Sequence, residues 1–189
     1  MTEDYAHALQ LLEEAEAEFL GLIDGLSEAQ WTYKPEPEGW SIAETAQHIV
    51  LAEDILFRSL QKALSSPGDP EWETKTAGKT EFVERVVPGR RRKARAPEAI
   101  RPRETWTRED TLARYREKRA RTMQFVQAAE RALDGHTFNH PFPVFNTLSA
   151  YQWLIYIPLH HKRHARQIAE IKASPGFPAS DSLTAERDA

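Results

Sequence analysis

Residues 41–64 read SIAETAQHIVLAEDILFRSLQKAL, and they set the class of the fold. Ser41-Ile42-Ala43-Glu44 has the form of a capping box, in which Ser41 accepts from the Glu44 amide while the Glu44 carboxylate reaches back to the Ser41 amide. Ile42, Ala46, Ile49, Glu53, Leu56 and Leu60 then recur at three- and four-residue steps, the period of one face of a helix. The stripe is apolar except at Glu53 and predicts a helix from Ser41 to about Leu64. His48 falls in its second turn, on the flank of the stripe.

Three more segments carry the same period. Tyr5, Leu9, Leu12, Phe19, Leu22 and Ile23 predict a first helix over 2–26, with Gly25 as its terminator. Thr107-Arg108-Glu109-Asp110 starts a third with a capping threonine and first-turn acids. Leu112, Tyr115, Arg119, Thr122, Val126 and Leu133 extend that helix to Asp134-Gly135. A fourth is expected over 147–173. Residues 27–40 and 136–146 read as linkers, and 65–104 as a long connection holding one short helix near 80–87. No segment alternates as a strand would. The expected fold is therefore all-α: a four-helix bundle with a long crossover between helices two and three, forming one domain over 1–173. The tail, 174–189, is expected to be disordered.

Composition excludes whole classes of chemistry. The chain of 189 residues contains no cysteine, so disulfides, thiolate nucleophiles and thiolate metal sites are absent, and a metal must be held by nitrogen and oxygen. No apolar run reaches the ~20 residues that span a bilayer. The acidic N-terminus lacks the basic start and apolar block of a signal peptide, which makes the cytoplasm the expected compartment. The net charge of −4 argues against a general nucleic-acid binder. Residues 90–103, RRRKARAPEAIRPR, are locally basic but lack interleaved aromatics, and read as a solvated loop; a phosphate contact through Arg90, Arg91 and Arg92 is the alternative. GxGxxG, GxxxxGK[ST], GxSxG and HExxH are all missing.

Residues 158–171, PLHHKRHARQIAEI, carry three histidines in five positions. His160 and His164 point about 40° apart on the arc that also holds Trp153, Ile157, Gln167 and Ile171, whereas His161 lies about 100° away from His160. An i, i+4 pair can grip one metal ion from a single helix, and His48 is the candidate third ligand. The competing reading is a set of buried histidines hydrogen-bonded within the core. His136 and His140 share the i, i+4 spacing but sit between Gly135 and Pro141, in a loop, and His7 reads as surface or bundle end. Pro158 either kinks the last helix just ahead of His160 or marks where its regular part begins. Trp40, Trp153 and Tyr156 are candidates for pocket walls, with bundle core as the plainer reading. Glu44 is explained by its cap, and Gln167 is placed to orient His164.

These stretches resemble a known family. WSIAETAQHIVLAED at 40–54 is similar to the second-helix signature of the DinB/YfiT-like family, a tryptophan and a capping residue followed by a histidine within two turns. HHKRHARQI at 160–168 is similar to its terminal-helix motif, HxxxHxxQI. The resemblance spans about 1–173. It implies an up-down-down-up bundle, often a homodimer, that holds a divalent metal, nickel or zinc, on three histidines with water in the remaining positions. On the matching motifs the ligands are His48, His160 and His164, and His161 has no ligand role.

Neutral imidazoles leave such an ion its full charge, which lowers the pKa of a water or thiol that joins it. The resemblance further implies a small-molecule substrate and transfer of a low-molecular-weight thiol such as bacillithiol, mycothiol or glutathione; hydrolysis is the other expectation. The rival expectation is a non-catalytic dimeric stress or scaffold bundle with a structural metal.

Overall fold

The computed structural model describes residues 2–90, 95–103, 106–128 and 130–179. Four long helices dominate it: α1 (Glu3–Ile23), α3 (Ile42–Ser65), α6 (Arg108–Ala128) and α7 (Ala150–Lys172). They form a ring in which α7 packs on α1 and α3, and α6 packs on the other side of both. Short elements fill the connections: α2 (Glu28–Thr32), α4 (Trp72–Thr76), α5 (Lys79–Val86), a 3-10 turn (Glu98–Ile100), and the strands β1 (Thr137–Asn139) and β2 (Thr147–Ser149).

Helix direction follows from which ends share a core. One apolar cluster joins Tyr5 and Leu12 of α1, Leu56–Leu64 of α3, Val126 of α6 and Trp153–Leu159 of α7. A second joins Phe19 and Ile23, Ile42–Val50, Tyr115, and Ile168 and Ile171. The start of α1 therefore lies beside the ends of α3 and α6 and the start of α7. The bundle runs up, down, down, up, and α3 and α6 can share a direction because the crossover returns the chain to the same end.

The helix starts are written locally. Ser41 and Glu44 form the expected capping box, with Ser41 N–H donating to Glu44 Oε2 at 2.8 Å. Equivalent boxes at Ser27–Gln30 and Ser149–Gln152 start α2 and α7. Four boundaries differ from the sequence expectation. Residues 147–149 are not helical: they pair antiparallel with 137–139, and three-residue strands are too short to show alternation. The third long helix ends at Ala128, before Asp134, and the Arg131 carbonyl accepts from the Tyr5 hydroxyl at 2.8 Å instead of from a further turn. Leu133 still enters the core, from a loop. The linker after α1 contains α2, and the crossover contains three short elements rather than one.

Pro158 lies inside α7, which continues through it, so it does not mark the helix start. Of the expected tail, 174–179 are described and pack on the α2 region. Tyr33 Oη donates to the Pro175 carbonyl at 2.8 Å and Gln30 Nε2 to the Pro178 carbonyl at 2.9 Å. Residues 180–189 lie outside the described residues. Among the described residues, no helix is long and apolar enough to cross a membrane.

Candidate metal centre

Two helices bring three histidines together. His48 comes from the second turn of α3, and His160 and His164 from successive turns of α7. One ring nitrogen from each can be chosen so that all three lie within 4.8 Å of one another. Ring centroids are 4.5 Å apart for His48–His164 and for His160–His164, and 5.2 Å for His48–His160. Among the described residues this is the one group of three or more histidine, aspartate or glutamate side chains so placed. The structure thus juxtaposes the three residues that spacing and resemblance single out.

The hydrogen bonds set which nitrogen each ring offers. His48 Nδ1 is 2.7 Å from the Ile100 carbonyl, which can only accept, so the proton sits on Nδ1 and the Nε2 lone pair is free. His164 Nδ1 is 2.9 Å from Gln167 Oε1. That oxygen also accepts from Arg90 Nη1 at 2.9 Å, which fixes the amide orientation, and Arg90 is itself held by Glu170. His164 therefore also presents Nε2, which lies 3.3 Å from His160 Nε2. His160 keeps part of its surface open, while its Nδ1 is enclosed with no hydrogen-bond partner among the described residues.

Burial keeps these rings neutral. It lowers the His48 pKa from 6.5 to about 4 and pushes His160 and His164 well below the ordinary range, with Arg163 adding to the effect at all three. Neutral imidazoles are the form that binds a cation. The donor set suits a borderline divalent ion, with two of the three ligands oriented through an Nδ1–H bond of the kind common in histidine metal sites.

Aromatic rings wall the centre. Trp40 packs on His48 at 4.8 Å and on His164 at 6.4 Å, and Tyr156 stacks on His160 at 6.3 Å and 21°. Trp153 is set back, against His140. His140 is buried among Phe145, Trp153 and Tyr156, and His136 reaches the Ser66 carbonyl, so that pair does not join the triad. His7 sits at the other end, where its Nδ1 is 2.7 Å from Tyr151 Oη. Glu44 is occupied by its cap and by Lys34. Of the basic run, Arg90 serves Gln167 and Glu170, Arg101 Nε reaches the Ala96 carbonyl, and Arg103 pairs with Glu98; Arg91 and Arg92 lie outside the described residues.

Ile100 is the partner that sequence reasoning misses, because a backbone carbonyl has no side-chain signature. Glu53, Arg119 and His161 form a buried charged group one layer below the triad. Its trace in the sequence is Glu53 and Arg119 at core positions of the α3 and α6 stripes; His161, about 100° off the arc of His160 and His164, leaves none.

Comparison with known proteins agrees with this architecture. The chain is 27% identical over 166 residues to the uncharacterized protein YuaE of Bacillus subtilis, covering 87% of this chain and 96% of that protein. Its fold is similar to the solved structure of YfiT from Bacillus subtilis, with a TM-score of 0.59 at 15% identity over 91% of this chain and 88% of the other. YfiT is described as a probable metal-dependent hydrolase with an unusual four-helix bundle topology. The family model of the DinB superfamily matches residues 11–168, from within α1 to the end of the histidine motif, and the chain belongs to the DinB superfamily.

Proposed function

We propose that His48, His160 and His164 bind one divalent metal ion, nickel or zinc, and that the protein is a metal-dependent enzyme acting on a small molecule. The observation that carries this reading is the convergence of three neutral imidazoles, two of them held by Nδ1–H bonds to oxygen acceptors so that Nε2 faces the common centre. An ion held there supplies Lewis acidity. The chain supplies the rest. Ile100 and Gln167 keep the protons on Nδ1, and Trp40 and Tyr156 shield the centre from bulk water. The ligand set contains no carboxylate, so the ion's charge is not offset by its ligands.

Hydrolysis is the reaction class named for YfiT. Transfer of a low-molecular-weight thiol is the second class, and because the chain has no cysteine that thiol would be a co-substrate. Elemental mass spectrometry on untagged protein tests the metal, with wild type beside His160→Ala and His164→Ala. About one nickel or zinc per chain, lost in both variants, is the expected result. Protein that stays metal-free after titration with divalent ions would end this reading. Metal that raises the melting temperature with no turnover of ester or thiol substrates would leave a structural site.

A further inference from the structure

Between its two apolar clusters the bundle carries a charged layer. Glu53 of α3, Arg119 and Thr122 of α6 and His161 of α7 are each no more than 2% exposed. Arg119 Nη1 donates to the Leu12 carbonyl of α1 at 2.8 Å, and Nη2 donates to His161 Nδ1. Arg119 Nε lies 3.4 Å from Glu53 Oε1, which also accepts from Thr122 Oγ1 at 2.7 Å. A guanidinium can only donate, so His161 carries its proton on Nε2, 3.4 Å from Glu53 Oε2. Arg119 of α6 thus hydrogen-bonds to α1 and, across the diagonal of the ring, to α7, and it meets α3 through a 3.4 Å ion contact. Arg119 Nε, Glu53 Oε2 and His161 Nε2 have no hydrogen-bond partner among the described residues.

The layer is tied to the triad through the backbone. His161 follows His160 directly, and Glu53 lies five positions after His48, so both ligand-bearing helices are gripped beside their ligands. A helix packed only by aliphatic contacts can turn slightly about its axis at small cost. Side-chain atoms lie about 5–6 Å from a helix axis, so a 10° turn moves them by about 1 Å. Metal–nitrogen distances tolerate only about 0.2 Å. A buried ion pair is a poor source of net stability compared with apolar filling, but the hydrogen bonds around it, from Arg119 to Leu12 and His161 and from Thr122 to Glu53, are directional.

We propose that Arg119 is a positioning residue for the histidine triad, fixing the rotation of α3 and α7 so that His48, His160 and His164 converge. The inference rests on the metal-binding reading above, and its test also has a readout that needs no metal. The variant is Glu53→Gln/Arg119→Met, which leaves no uncompensated buried charge. Arg121→Met is the control, since it cuts a different α3–α6 ion pair, with Asp54 at 2.8 Å. Two quantities are measured: cobalt(II) affinity with the visible spectrum of the bound ion, and imidazole nitrogen NMR spectra of metal-free protein, which report the ring tautomers.

The double variant is expected to bind cobalt about 10- to 100-fold more weakly, the usual effect of losing an outer-sphere support. Its spectrum should change, and His48, whose Nδ1–H acceptor Ile100 lies outside α3, should lose its single tautomer, while the control keeps both properties. Affinity within twofold of wild type with unchanged imidazole spectra would overturn the proposal. If wild type takes up no cobalt, the metal reading fails, and the tautomer spectra alone decide the positioning role. If the double variant does not fold, Arg119→Lys, which keeps the charge and loses the fork, is read by the same measurements.

Discussion

His140→Phe should make the metal-free protein less sensitive to acid. The His140 ring is 7% exposed, stacked on Trp153 at 5.0 Å and 23°, and flanked by Phe145 and Tyr156. Burial lowers its pKa from 6.5 to about 4. An unfolded chain takes up the proton near pH 6.5, whereas the folded chain resists until near pH 4. This residue's contribution is therefore complete above pH 6.5 and is lost as pH falls toward 4. At pH 5 the loss is about 2 kcal/mol, from 1.36 kcal/mol per unit over the 1.5 units below 6.5.

Carboxylates whose pKa is lowered, such as Asp54 and Asp69, shift stability only at more acid pH. Glu53 and Asp4, whose pKa is raised, act in the opposite sense, but equally in both proteins. The bond from the Phe142 amide to His140 Nδ1 is lost in the variant at every pH and cancels in the difference. Urea unfolding followed by circular dichroism, at pH 7.5 and 5.0 with chelator present, measures the effect. The drop in stability between the two pH values should be smaller in the variant by about 2 kcal/mol. Equal drops in the two proteins would refute the reasoning.

Other substitutions probe the remaining links. Gln167→Leu removes the acceptor of His164 Nδ1–H and should weaken nickel or zinc binding about 10- to 100-fold by competition titration, with little change in melting temperature. Ser149→Ala removes one half of the capping box of α7 and should cost about 1 kcal/mol in urea midpoint stability at constant slope. Leu12→Ala empties a fully buried site in the larger apolar cluster and should cost about 2–5 kcal/mol by the same assay.

Much of the molecule is legible from the chain itself because the responsible interactions are local. Capping boxes, three- and four-residue apolar steps and the His160–His164 spacing act within one or two turns, so they specify the long helices and the ligand pair without reference to the rest of the fold. Boundaries are less local. Residues 147–149 read as helix by continuity with α7, but they pair with 137–139 across a loop, and the strands are too short to leave a period of two.

The centre is legible only in part. Two ligands are fixed by one helix, but the third depends on α3 packing beside α7. The Ile100 carbonyl arrives on the crossover from 52 residues away in sequence, and any residue type would supply the same atom. The charged layer shows the division most clearly. Glu53, Arg119 and His161 each look like isolated polar residues in the sequence. Burial excludes water from them, and tertiary packing makes them one another's partners.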